Sequence, residues 1–182
     1  MIYKNIIKSI LLLISFFLIT SCSNNNAMKP EDFKNKEPRL IIEEYLSGNV
    51  KAWRVLQNRS GKVTRQFSAD LNGTWDGKQL ILKEKFNWDD GEIQDREWTI
   101  NKIDEHNYEG TAGDVVGKAK GFSYGPAFKF EYVLLVPVKG RELKITFDDW
   151  IFKQDDRVAI NRATMTKFGF KVAELTVVFV KD

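Results

Sequence analysis

The residues able to do chemistry in this chain are few, and their scarcity removes most familiar sites. His106 is the sole histidine and Cys22 the sole cysteine. A Ser-His-Asp triad would have to use His106, but Glu105-His106-Asn107 falls between two predicted strands and no nucleophile-elbow serine is present, so a solvated turn residue is expected. A zinc site needs several His or Cys ligands, so neither a metal nor a cofactor is expected. Trp88-Asp89-Asp90-Gly91-Glu92 lacks the alternating ligands of a calcium loop and reads as a tight turn. Gly110, Gly113, Gly117 and Gly121 lie along a predicted strand with no helix to follow, which is not a phosphate cradle.

What remains is charge placed at alternate positions of apolar strands. Alternate residues of a strand share one face. Following the apolar phase puts Arg65 among Val63, Phe67, Ala69 and Leu71, and Glu84 among Leu80, Leu82 and Phe86. The same rule puts Arg96 with Trp98 and Ile100, Asp114 with Tyr108, Ala112 and Val116, Asp149 with Ile145, Phe147 and Ile151, and Arg162 with Val158, Ile160 and Thr164. Three cations against three carboxylates balance. A lone buried charge costs several kcal/mol, so inward charges should be paired and hydrogen-bonded. They form either a structural network or, with Phe128, Phe130, Tyr132, Leu134 and Val136 supplying an apolar wall, a polar patch inside a ligand cavity. The candidate ligand-binding residues are Glu84, Arg96, Trp98, Asp114, Tyr132, Asp149 and Arg162. A catalytic use of a carboxylate with a shifted pKa is the remaining reading, and no residue is assigned to it.

The elements that must position these residues are short strands. Arg39–Leu46 has helical spacing and ends near Gly48, a C′-type glycine. Beyond it, runs rich in β-branched and aromatic residues predict strands near 51–57, 62–73, 78–87, 92–103, 107–117, 127–137, 141–153, 157–166 and 170–181. Asp76-Gly77, Asp89-Asp90-Gly91, Lys139-Gly140 and Gly169 mark the turns. Gly121–Pro126 reads as the longest break, a loop able to act as a lid. Eight or nine strands joined by sequential hairpins avoid exposed edges best as an antiparallel up-and-down barrel; a two-sheet sandwich is the alternative. The Asp-Asp pairs at 89–90, 148–149 and 155–156 are turn chemistry rather than a repeat.

The N-terminus predicts an address. Lys4 and Lys8 precede an apolar run from Ile10 to Ile19, and Ile19-Thr20-Ser21-Cys22 closes it, the order of a secretory signal ending in a lipobox. The run is too short for a spanning helix of about 20 apolar residues. Residues 1–21 are therefore expected to be cleaved, with Cys22 lipidated. Residues 22–38 would be a lipidated flexible tether and 39–182 a single β domain. Several acyl chains on one cysteine would anchor the chain stably, and Ser23 after Cys22 suits outer-membrane sorting. Loss of Lys4 and Lys8 lowers the net charge from +3 to +1, which argues against a nucleic-acid partner.

Gly61-Lys62-Val63…Arg65-Gln66-Phe67, Leu82–Phe86…Asp90-Gly91, Arg96-Glu97-Trp98, Tyr108–Gly117, Asp148-Asp149-Trp150 and Asn161-Arg162…Lys167-Phe168-Gly169 together resemble the domain of unknown function 3833 family of proteobacterial lipoproteins. The resemblance runs from about Trp53 to the C-terminus. It implies a lipocalin-type (calycin-like) barrel with a cavity, in a Gram-negative envelope lipoprotein anchored in the outer membrane facing the periplasm, and implies no established activity. The leading expectation is a tethered protein that binds a lipid or other amphiphile. The alternative is a scaffold for another envelope protein, using Phe122-Ser123-Tyr124 as an exposed contact.

Overall fold

The computed structural model describes residues 27–138 and 140–182. The expected signal peptide and Cys22 lie outside them. Ten antiparallel strands close into one barrel: β1 Gly48–Asn58, β2 Val63–Trp75, β3 Gln79–Trp88, β4 Ile93–Lys102, β5 Asn107–Thr111, β6 Ala119–Tyr124, β7 Ala127–Val138, β8 Arg141–Lys153, β9 Val158–Lys167 and β10 Phe170–Lys181. Each pairs with its neighbours in sequence, and β1 pairs with β10 to close the ring. Closure gives every strand a neighbour on both sides, and no two-sheet sandwich forms.

Nine strands were expected, and the difference has a local cause. The run 107–117 ends as a strand at Thr111, and the presumed lid at 121–126 is mostly β6. Gly110 and Gly121 are not turn residues. A Cβ on Gly121 would lie 2.9 Å from both the Phe128 ring and Tyr108 Cβ, and the Phe130 ring fills the same space at Gly110. These glycines let aromatic rings lie directly on backbone inside the barrel.

Because β5 and β6 are short, the mouth-side half of β4 pairs with no strand on that side. The segment Ala112–Lys118 covers the gap. Val116 donates to Val133 O and Leu135 to Asp114 O at 2.8 and 2.9 Å, and Val115 bridges Leu134. That crossing carries Asp114 to the interior.

The even-numbered turns and the segment before β1 form one pole; the odd-numbered hairpins surround the other. The first pole is plugged. The expected helix over 39–46 is a single turn, α1 (Ile42–Tyr45), because Leu40 is still extended, donating to Gly125 O and accepting from Ser123 Oγ. Leu40, Ile42, Tyr45 and Leu46 are buried across the barrel end. Glu43, also buried, accepts from Tyr108 Oη at 2.9 Å and pairs with Lys102. Lys181 Nζ, at the end of β10, donates to the carbonyls of Glu44, Tyr45 and Ser47. Upstream, a 3₁₀ turn at Pro30–Phe33 sets Phe33 against Trp150 and Phe152, with ring centroids 5.9 and 5.5 Å apart. The part of the expected tether from Pro30 thus packs on the barrel wall. Sheet closure, core and plug all fall within residues 39–182.

Candidate functional site

The barrel interior is divided by a charged floor. Between the floor and the plug lies a chamber of about 70 Å³, nearly filled by Trp98, Phe128, Phe130 and Phe179. Between the floor and the open pole lies a cavity of about 370 Å³, walled by Leu134, Val136, Phe147, Met165 and Leu175 with Trp88 near the mouth. Arg54, Arg96 and Tyr132 border both spaces.

The floor is built by register. Glu84 on β3 stands directly across from Arg96 on β4. Its carboxylate lies 3.6 Å from Arg54 and 3.8 Å from Arg96, with side chains only 7%, 10% and 15% exposed respectively. Arg96 donates through Nε and Nη2 to one oxygen of Asp114, at 3.0 and 2.7 Å. Arg54 rests over the rings of Phe67 and Phe86, 4.7 and 5.0 Å from their centroids, where a guanidinium gains cation–π attraction. Beside them Asp149 accepts from Tyr132 Oη at 2.9 Å and from the Asn161 amide. The Tyr132 ring stacks on Phe147 and meets Trp98 edge-on.

Burial dominates the electrostatics. It holds Asp149 above the usual carboxylate range, against its two donors, and lifts Tyr132 well above the ordinary phenol value. It also lowers Arg54, although Glu84 opposes this. For Arg96 burial acts downward too, but Glu84 and Asp114 outweigh it and the guanidinium is held more firmly protonated.

The polar groups do not satisfy one another. Arg54 Nε, Glu84 Oε2 and Asp114 Oδ1 are buried without a hydrogen-bond partner, as are Arg65 Nε and Trp88 Nε1 nearer the mouth. Buried polar atoms in folded proteins are nearly always paired. Four of these atoms belong to residues that line the larger cavity and one, on Glu84, to the chamber below it, which leaves donors and acceptors for a guest.

Of the expected ligand-binding residues, Glu84, Arg96, Trp98, Asp114, Tyr132 and Asp149 meet at or below the floor. Arg162 does not. It points outward, 70% exposed, 3.8 Å from Glu174. The inward face of β9 is Ala159, Asn161 and Ala163. These small inward side chains lie toward the plug and Met165 lies at the cavity end, so Val158, Ile160 and Arg162 take the outer wall. The phase suggested by Val158 and Ile160 was the wrong one. Arg65 lies at the rim, held by Asp90 and Glu92 at 2.6 and 3.0 Å. Arg54 was missed, though Val50, Ala52 and Leu56 share its parity. Phe122 and Tyr124 are half-buried in β6 rather than displayed on a loop, and Tyr124 stacks on His106 at 4.1 Å. Among the described residues no cluster of three or more His, Cys, Asp or Glu could hold a metal ion.

A closed up-and-down barrel of lipocalin-like architecture, plugged at one pole and hollow toward the other, is the class this geometry defines. The chain belongs to the family Protein of unknown function (DUF3833), whose model matches residues 16–181. No curated protein matches it. Among solved structures, the S-type phycobiliprotein lyase CPES from Guillardia theta aligns with a TM-score of 0.57 at 11% identity, over 77% of this chain and 90% of that one. A protein of unknown function from the DUF3598 family of Nostoc punctiforme aligns with a TM-score of 0.60 at 15% identity. That match covers 81% of this chain but only 51% of the other, about half its length. At such identities the likeness concerns the fold alone.

Proposed function

We propose that the barrel binds an amphiphilic small molecule, polar head on the Arg54–Glu84–Arg96–Asp114 floor and apolar tail along β7 and β8 toward the mouth. The observation that carries this reading is the pair of unpartnered polar atoms, Arg54 Nε and Asp114 Oδ1, on floor residues that border a largely apolar cavity of about 370 Å³. That size lies within the range of roughly 300–1,000 Å³ common for ligand pockets, which are mostly apolar with a few placed polar groups.

The orphans define the head. On the floor a free donor, Arg54 Nε, stands with free acceptors, Glu84 Oε2 and Asp114 Oδ1. Arg54 and Arg96 are balanced by Glu84 and Asp114, while burial favours the neutral form of Asp149. A head that both donates and accepts without net charge fits best: hydroxyls, an amide or a zwitterion. A bare fatty-acid carboxylate would crowd Glu84 and Asp114 and is disfavoured.

Fluorescence displacement and native mass spectrometry on protein prepared without detergent test this. A monoacylglycerol or lysophosphatidylethanolamine should bind more tightly than the free fatty acid of the same chain length, and Arg54→Met or Glu84→Gln should abolish binding. A preference for the free acid, or no binding of any amphiphile by the folded protein, would overturn the reading.

The same proposal places the protein in the cell envelope through acylation of Cys22, supported by the Ile19-Thr20-Ser21-Cys22 lipobox. Labelling of growing cells with an alkyne-bearing palmitate should mark the chain, and Cys22→Ser should abolish the label and release the protein from membranes. Labelling that persists in Cys22→Ser, or none in the native chain, would remove the anchor.

A further inference from the structure

The hairpins around the mouth carry apolar side chains where turns exposed to water usually carry polar ones. Phe168 is 88% exposed and Phe170 74%, with Val63, Val138 and Val172 at 43%, 40% and 37%. They belong to the β1–β2, β7–β8 and β9–β10 hairpins, which are consecutive around the barrel. Exposed cations alternate with them: Arg59, Lys62, Arg141 and Lys171, with Lys167 half-buried, against Glu142 and Glu174, the latter 3.0 Å from Lys171. Acidic residues at the mouth gather across it, on the β3–β4 hairpin, where Asp90 and Glu92 hold Arg65. At the plugged pole, the exposed large apolar side chains among the described residues are Ile103 and, ahead of the barrel, Met28.

Phe168 is also poorly suited to its backbone. Phe168 and Gly169 have φ of 51° and 80°, the two positive values of a type I′ turn, where Asn-Gly is the favoured pair. A left-handed conformation costs an L-aromatic residue energy. The ring recovers little from the fold, touching chiefly the Lys167 ammonium at 5.3 Å. Strain that the fold does not repay points to use outside it.

We propose that this sector of the mouth docks on an anionic lipid bilayer, Phe168 and Phe170 entering the headgroup layer and Arg59, Lys62, Arg141, Lys167 and Lys171 lying over the phosphates. One aromatic hairpin tip flanked by valine-bearing tips, with basic side chains among them, matches an interface whose apolar depth and negative charge are both diffuse. A protein partner would call for a contiguous apolar patch inside a polar rim. The proposal extends the amphiphile reading, since a docked mouth gives the tail a water-free route, but the docking can be measured without any guest.

Residues 27–182, which hold the whole barrel and its plug, should co-float with phosphatidylglycerol vesicles and far less with phosphatidylcholine vesicles. Binding should weaken as salt rises. Phe168→Asn with Phe170→Thr should weaken it about tenfold or more, as removal of two inserted rings implies. Because asparagine suits the turn, this variant should melt no lower than the parent, and its cavity should still take up a monoacylglycerol probe. Arg141→Glu with Lys171→Glu should act similarly, roughly fivefold per cation. Glu84→Gln should lose the probe and keep the vesicles, separating failure of the cavity from failure of the mouth. Equal binding to both lipids, unaltered binding by the Phe168 and Phe170 variant, or no vesicle binding overturns the proposal. In the last case, a protein crosslinked through these hairpins would be the occupant instead.

Discussion

Replacing Glu84 by glutamine would leave Arg54 and Arg96 buried beside a neutral amide. Breaking a buried pair by removing one partner costs roughly 3–5 kcal/mol, a large share of a typical total of about 5–15 kcal/mol. Glu84→Gln should therefore melt markedly lower than the parent, whereas Arg54→Met with Glu84→Leu, which removes an opposed pair together, should recover most of that loss in a thermal melt. A double variant as unstable as the single one would contradict this picture of the floor. Asp149 makes stability depend on pH. Its folded pKa is raised by burial, so the folded state holds the proton more tightly, and stability falls as pH climbs from the ordinary aspartate value through the raised one. Asp149→Asn should flatten that decline and raise the melting temperature at neutral pH. The inward charges on β3, β4 and β8 were legible from alternation because those strands bury large apolar neighbours. Arg54 was obscured because Trp53 and Val55, at the opposite parity, compete with Val50, Ala52 and Leu56 for the phase of the strand. Arg162 was misplaced because β9 keeps its larger aliphatic residues outside, and strand parity carries no information about which face is crowded.

Glycine has two uses in these strands, and only one is visible in sequence. Gly77, Gly91 and Gly169 sit in turns at positive φ and mark hairpins as expected. Gly110 and Gly121 serve the rings of Phe130 and Phe128 on β7, two strands and one strand away, a requirement that no local pattern registers. The last strand boundaries and the ten-strand count depended on that distinction. Gly121→Ala would push a methyl against Phe128 and Tyr108 Cβ and should cost about 1–3 kcal/mol, the usual penalty of overpacking. Gly113→Ala, with open space at its Cβ and no positive φ, should be nearly neutral. Parallel urea titrations of the two variants would check this; equal midpoints would mean that the rings simply move aside.

At the scale of the molecule, the plug is the feature that makes one pole different from the other. Its buried anchor is Glu43, where burial works to raise the pKa but the hydrogen bonds from Lys102 and Tyr108 outweigh it and hold the carboxyl below its ordinary 4.5. The stabilisation is fully present above that ordinary value and is lost as pH falls through the depressed one. Glu43→Gln should therefore be less stable than the parent at neutral pH, with the difference shrinking in acid; an unchanged difference at pH 3 would assign Glu43 another role. A plug also constrains how a guest leaves. With Leu40, Ile42 and Leu46 sealing one end and the head seated on the floor, an incoming molecule has no second doorway from which to push the first out. Exchange then becomes strictly sequential: the resident departs by the way it came, and only afterwards can a successor enter. In a stopped-flow chase, the observed release rate should be independent of the competitor's concentration, a plateau from the lowest excess upward. A rate that grows with competitor would reveal a second passage, and the irregular wall at Ala112–Lys118 is where it would have to open.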